Sequence, residues 1–333
     1  MPGTIVVEFF DSKVLRGNPL GDPHVRRIPV YLPPSYGRVN KRYPVIYLLA
    51  GFTGSGEMMQ NRSPWTETFA ERCDRLIARK KMGEAIVVMP DCFTRYGGSQ
   101  YVNSSATGRY EDHVAKELVS YIDRQYLSIP NARARAVMGK SSGGYGAMVL
   151  GMRHPETFGV VCCTSGDMYF LYCYLPDFPK AIDTFRKYGG CAGFIRHWER
   201  RPKRMETSIF PAINTLAMAS CYSPNPESKV GFDLPFDEAT GELREDVWRR
   251  WLAWDPAQMI GRYAGNLRKL SLLFLDCGTR DEFNLHHGMR LFSRKAKALK
   301  IRHVVEEFDD NHMNIQYRYD RSLELASRAF RRG

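Results

Sequence analysis

Apolar runs recur along the chain at spacings that alternate strand with helix. Tyr43-Pro44-Val45-Ile46-Tyr47-Leu48-Leu49-Ala50 and Ala85-Ile86-Val87-Val88-Met89 are continuous apolar stretches, the pattern of strands buried on both faces. Between them, Trp65 to Arg79 has helical spacing, with Phe69, Cys73, Leu76 and Ile77 on one side. Glu111 to Gln125 predicts a second amphipathic helix that turns Val114, Leu118 and Ile122 inward. Strands follow at Val137 and at Gly159-Val160-Val161-Cys162-Cys163, and much later at Leu270–Leu275 and His303–Phe308. Helices are predicted from about Gly288 to Leu299 and from about Asn314 to Arg331. This order belongs to the α/β class, a mostly parallel sheet with helices on both faces. Strands near Ile5–Phe9 and Arg27–Leu32 are expected to add an antiparallel edge.

The alternation breaks between about Ser165 and Ile260. That stretch is far longer than the dozen or so residues a crossover needs. It carries Tyr169, Phe170, Tyr172, Tyr174, Phe178 and Phe185, several prolines and a helix expected at Asp246–Trp254. An insertion folded over the carboxyl edge of the sheet, a cap or lid spanning 165–260, fits this pattern. Repeats, low-complexity tracts and linker-like stretches are absent from the sequence, so residues 1–333 read as one domain.

Composition adds little to the fold and something to the setting. The chain has 44% hydrophobic and 25% charged residues, ordinary for a soluble globular protein. The N-terminus lacks the basic start and apolar run of a secretory signal, and no apolar stretch reaches the roughly 20 residues of a membrane helix. The eight cysteines form no C-x-x-C pair, which predicts reduced thiols in a cytoplasmic protein, with neither a metal site nor a disulfide framework. A net charge of +12 gathers at Arg196–Arg204 and at Arg328 through Arg332. No stacking platform or binding motif accompanies it, so it reads as a solvated basic surface and not as a nucleic-acid footprint.

The chemistry is concentrated in Gly139-Lys140-Ser141-Ser142-Gly143. This G-x-S-x-G lies between a predicted strand and the small-residue helix Gly144–Met152, the context of the nucleophile elbow of α/β-hydrolases. Ser141 is the expected nucleophile, and the Ser142 N–H at the helix start is an expected oxyanion donor. In this fold an acid follows a late strand and a histidine follows the last one. Asp276-Cys277-Gly278-Thr279-Arg280-Asp281-Glu282 offers three acids, of which Asp281 sits in the loop as the fold requires. Gly278 is expected to let the chain leave the strand sharply. His312, in the polar loop Asp309–Asn314, is the base candidate. His24, His113, His154 and His197 precede the acid, His286 and His287 follow it too closely, and His303 opens a strand.

The second oxyanion donor is expected from Gly51-Phe52-Thr53-Gly54, with Phe52 N–H first and Thr53 second. That glycine-rich loop lacks G-K-[ST] and G-x-G-x-x-G, which argues against a nucleotide site. Trp65, Tyr145, Asp167, Met168 and Tyr169 either line a substrate pocket or pack as ordinary core.

These segments, together with Gly97-Gly98-Ser99-Gln100-Tyr101-Val102-Asn103-Ser104, resemble the esterase-D-like "putative esterase" group. It includes S-formylglutathione hydrolases, feruloyl and acetyl xylan esterases, enterochelin esterases and mycolyltransferases. The resemblance implies a Ser141–Asp281–His312 carboxylesterase that needs no cofactor or metal and acts on a small-molecule ester. A thioesterase or an acyltransferase on the same triad is the alternative, and a non-catalytic binding protein on the same scaffold is the least favoured reading. A homo-oligomer is compatible with it. Many members carry Met after the nucleophile and His in the early loop. Here Ser142 and Ala50 stand instead, which argues against S-formylglutathione hydrolase in particular and leaves the triad untouched.

Overall fold

Period-two alternation places both faces of the central strands in cores. The computed structural model describes residues 2–62 and 64–331, so Met1 and Arg332 lie outside the described residues. The sheet strands are β1 (Thr4–Asp11), β2 (Val25–Leu32), β3 (Val45–Leu49), β4 (Ile86–Val88), β5 (Arg135–Lys140), β6 (Val160–Thr164), β7 (Leu272–Gly278) and β8 (Val304–Phe308). Along β3, Val45, Tyr47 and Leu49 enter one hydrophobic cluster while Ile46 and Leu48 enter the other. On β5, Val137 joins the first cluster and Ala136 and Met138 join the second. A strand with no solvated face must read as a continuous apolar run, as these segments do.

The strands form one eight-stranded sheet in the order β1-β2-β4-β3-β5-β6-β7-β8. β1 and β2 pair antiparallel, β2 meets β4 antiparallel, and from β4 to β8 every pairing is parallel. The antiparallel edge expected from the N-terminal residues is therefore present. β7 runs three residues further than Leu275, so Asp276, Cys277 and Gly278 belong to the strand and not to the loop after it.

The main helices are α1 (Phe69–Ala78), α2 (110–125), α3 (Ser142–Arg153), α4 (Phe178–Lys187), α5 (Cys191–Glu199), α6 (Phe210–Tyr222), α7 (Glu245–Leu252), α8 (Leu285–Ala298) and α9 (Tyr319–Phe330). α1 starts at Phe69, later than the Trp65 that periodicity suggested, because Thr68 and Glu71 close a capping box there. α2 is wound as a π-helix over His113–Leu118, with Val114, Leu118 and Ile122 buried as expected. The C-terminal helix begins at Tyr319 after a 3₁₀ turn over Gln316–Arg318.

Residues 165–260 fold into short helices around an aromatic core. Trp251 stacks near Tyr174, Phe178, Tyr222 and Trp248, at 5.5–5.9 Å between ring centres. Phe185 packs on Phe194 at 5.5 Å. This core is continuous with the sheet: Tyr145 of α3, behind the nucleophile strand, meets Tyr222 at 5.8 Å and Phe170 at 6.2 Å.

All eight cysteines are buried and free. No described helix is long and apolar enough to cross a membrane, and among the described residues no His/Cys/Asp/Glu group is arranged to hold a metal ion. In the basic stretch, Arg201 pairs with Glu206 and Arg204 lies over the Trp198 ring.

If the inserted segment and the sheet share one core, removing its central ring must loosen both. Trp251→Ala should lower stability by about 3–5 kcal/mol, as large aromatic truncations do, in a single urea transition. Two transitions, only one of them shifted, would show that the segment folds on its own.

Candidate active site

The backbone at Ser141 has φ 58° and ψ −129°, a conformation rarely adopted by a residue with a side chain. Such backbone costs of order 1–3 kcal/mol and persists only where its surroundings hold it. Here they do. Ser141 N–H donates to Thr164 O of β6 at 3.0 Å. A Cβ on Gly143 would fall 2.2 Å from Leu49 O, and one on Gly139 would fall 2.5 Å from the Gly143 carbonyl carbon. The glycines of the motif thus permit close packing of the turn, while the unusual dihedral belongs to the serine. Ser141 stays partly exposed at the carboxyl edge of the parallel strands, where α/β sheets place their ligands.

His312 and Asp281 converge on it. Ser141 Oγ lies 3.0 Å from His312 Nε2, and His312 Nδ1 lies 2.7 Å from Asp281 Oδ2. A carboxylate only accepts, so its neighbour Nδ1 carries the proton and Nε2 is left to accept from the serine. Burial pushes the Asp281 carboxyl up, but the His312 contact and the N–H groups of Phe283 and Leu285 outweigh it and hold it below its ordinary value.

The three neighbouring acids separate by partner. Asp281 takes the imidazole. Glu282 accepts the backbone N–H of His312 at 2.7 Å and so anchors the loop rather than the ring. Asp276 lies on β7, bonded to Arg318 Nε at 2.7 Å, and burial raises its carboxyl to about 6. Gly278 opens the turn into the Asp281 loop, its carbonyl accepting the Asp281 N–H at 3.3 Å. It ends the strand, and a Cβ there would fall 2.4 Å from Asp310 O and 2.7 Å from Asn311 O, so its small size admits the His312 loop.

The Gly51–Gly54 loop lies against the nucleophile: a Cβ on Gly51 would sit 3.5 Å from Ser141 Cβ. Its two candidate donors differ. Thr53 N–H already donates to Gly97 O at 2.8 Å, whereas among the described residues the N–H groups of Phe52 and Ser142 have no acceptor. Tyr101 OH donates to Ala50 O at 2.6 Å and fixes the loop from below. Gly97 and Tyr101 thus explain why the 97–104 segment accompanies the nucleophile, a role that spacing alone could not reveal.

A narrow cleft of about 40 Å³ opens at Ser141. Phe52, Phe210, Phe283 and Leu285 make its apolar wall, and Ser142, Asp167, Cys173, Tyr174 and Asn214 make the remainder. Phe210 stands 6.1 Å from both Phe52 and Phe283, and Phe283 meets the His312 ring at 4.8 Å. Of the five expected pocket residues only Asp167 lines this cleft. Trp65 is fully exposed and borders a separate depression with Arg72, Arg75 and Asn314. Tyr145, on α3 itself, is buried in the core, its OH donating to Trp254 O at 3.1 Å. Met168 is buried against Gly288 of α8. Tyr169 stacks on Tyr172 at 4.5 Å, its N–H held by Asp255. The sequence does not single out Phe210 and Asn214, because in a helix buried on all sides no periodicity marks which side meets a cleft.

A strand-order 1-2-4-3-5-6-7-8 sheet with a strained serine at its carboxyl edge, facing a histidine and an aspartate, defines an α/β-hydrolase. The chain belongs to the esterase family described as "Putative esterase", whose model matches residues 23–317. An endo-1,4-beta-xylanase/feruloyl esterase of Xylanibacter ruminicola is 34% identical over 146 residues, 42% of this chain. That stretch is 19% of the relative, so the chain matches about a fifth of its length. Among solved structures, a ferulic acid esterase has a TM-score of 0.63 at 21% identity, covering 98% of this chain and 99% of that one. An S-formylglutathione hydrolase from Agrobacterium tumefaciens has a TM-score of 0.60 at 17% identity, covering 99% and 96%. Both share the fold.

Gly278→Ala should displace the His312 loop while leaving β7 in place. The expected result is at least a tenfold slower reaction of Ser141 with a fluorophosphonate at unchanged far-ultraviolet circular dichroism. Labelling at the wild-type rate would show that the loop absorbs the added methyl group.

Proposed function

We propose that this protein is a serine carboxylic-ester hydrolase that works through an acyl-enzyme. The observation that carries the reading is the continuous hydrogen-bonded line from Ser141 Oγ through His312 to Asp281. His312 Nε2 takes the hydroxyl proton as Ser141 Oγ attacks the ester carbonyl carbon. Asp281 holds the imidazole tautomer and stabilises the imidazolium. The N–H groups of Phe52 and Ser142 receive the oxyanion, each worth about 10²–10³ in rate. His312 then returns the proton to the leaving alkoxide, and the alcohol departs. Water, deprotonated by the same imidazole, attacks the acyl-enzyme and releases the acid.

The 165–260 segment acts as a cap that selects substrate. Asp167, Cys173, Tyr174, Phe210 and Asn214 all come from it and face the nucleophile. Tyr169 and Tyr172 do not border the cleft, so the selecting residues are Phe210 and its neighbours. The enclosed part of the cleft is about 40 Å³, room for a few water-sized groups, and the rest of the substrate lies toward its open mouth. A thioester would meet the same triad, whereas transfer to an acceptor other than water is disfavoured by the exposure of Ser141. Eight buried free thiols support a reducing compartment, the cytoplasm.

Ser141→Ala and Asp281→Asn should each fold normally and lose about 10⁴-fold in kcat on p-nitrophenyl acetate, as triad removals do. Mass spectrometry of the fluorophosphonate-treated protein should find the label on Ser141 alone. Asp276→Asn should instead lower stability by releasing Arg318. A deeper catalytic loss from Asp276→Asn than from Asp281→Asn, with both folded, would reassign the acid.

A further inference from the structure

Asp167 is a carboxylate to which the acyl-transfer chemistry gives no task, yet it is buried at the wall of the nucleophile cleft. Its hydrogen bonds all fall on one oxygen. Oδ2 accepts from Gln100 Nε2 at 3.0 Å, Tyr174 OH at 2.8 Å and Ser142 Oγ at 3.3 Å. Oδ1 has no partner among the described residues, and it is not one of the buried side-chain atoms sealed from solvent. Gln100 Nε2 also bonds Tyr222 OH at 2.9 Å, so the oxygen that is satisfied is held rigidly. Asn214, also in the wall, spends one amide hydrogen on Asp177 Oδ2 at 3.3 Å and keeps the other.

A group occupying this wall must donate to Asp167 Oδ1 and can accept from Asn214. A hydroxyl does both. An ammonium donates only and would leave the free amide hydrogen of Asn214 without an acceptor. The side of the ester is set by the proton transfers. The leaving oxygen has to come within reach of His312 Nε2, beside Phe283, so the alcohol lies on that side. The acyl chain is then taken to run along the wall where Ser142 Oγ is bonded to Asp167, beside the Ser142 N–H. We propose that Asp167 and Asn214 recognise a hydroxyl on a short acyl chain, making esters of small hydroxy acids the preferred substrates. This rests on the esterase reading. The CH₂–OH of a glycolyl group supplies that donor; the equally sized CH₂–CH₃ of a propionyl group would cover Oδ1 with none.

The test compares methyl glycolate, methyl propionate, methyl acetate and glycine methyl ester, with acid release followed by titration. Wild type should favour glycolate over propionate by at least about 10² in kcat/KM, a floor below the roughly 10⁴–10⁵ by which sites built for a hydroxyl reject analogues lacking it. In Asp167→Asn that ratio should fall at least tenfold, and Asn214→Ala should lower it in the same direction. Equal kcat/KM for glycolate and propionate in wild type overturns the proposal whether or not either variant folds. So does an undiminished ratio in folded Asp167→Asn, or a preference for the glycine ester. Acetate turnover that disappears in Ser141→Ala upholds the esterase reading independently, and an enzyme inert toward all four esters overturns both.

Discussion

The site depends on a single cramped crossing, where the turn after β5 packs against the ends of β3 and β6. Ser141 is forced to positive φ because Gly139 and Gly143 bring its flanks within contact of Leu49 and each other. The bond from its N–H to Thr164 O locks the turn to β6. Thr164 is paired in register with Asp276, and Asp276 with Glu306, so the same edge carries the turn across to β7 and β8. The acid and base loops leave those two strands. The distances from serine to histidine to aspartate are therefore consequences of sheet register. The buried central strands supply the rigidity that a strained residue needs.

Small residues do two different jobs around this crossing. At Gly139, Gly143 and Gly278 the demand is for space, and each stands where a methyl group would meet backbone. The left-handed backbone falls instead on residues with side chains, Ser141, Ser165 and Asn284, at the ends of β5 and β6 and the start of α8. Ser165 N–H is held by Asp276 O at 2.7 Å, the same edge again. Strain at the strand ends is thus tied down by backbone bonds from the neighbouring strand.

Much of this architecture is readable from residue order. Apolar runs mark buried strands because a parallel sheet has no wet face, and the chain order of serine, acid and histidine singles out the three groups that the fold brings together. Boundaries moved where a cap or a ladder decided them, as at Thr68 for α1 and at Gly278 for β7. The cleft wall was largely illegible. Aromatic density pointed to the 165–260 segment but could not tell Phe210, at the mouth, from Phe170 or Trp251, which fill its core. Trp65, expected at a pocket wall or in the core, is fully exposed and borders a different depression.

The helix α6 shows why stability and selectivity are hard to separate here. It is buried along almost its whole length, with Asn214, Thr215 and Ser220 among otherwise mostly apolar residues, so its hold on the protein is packing rather than amphipathicity. Residues four apart on a helix share a face. On that ladder Phe210 closes the mouth beside Phe52, Asn214 enters the wall, and Tyr222 bonds the Gln100 amide that orients Asp167. One rigid rod thus sets the width of the cleft, one of its polar groups and the support of another. A change that tilts α6 must move all three at once, and Tyr222 also packs on Tyr145 of the nucleophile helix. If the cleft is the substrate site proposed above, substrate preference is for that reason a property of core packing: residues that never touch the ester would still decide where the ones that do are held.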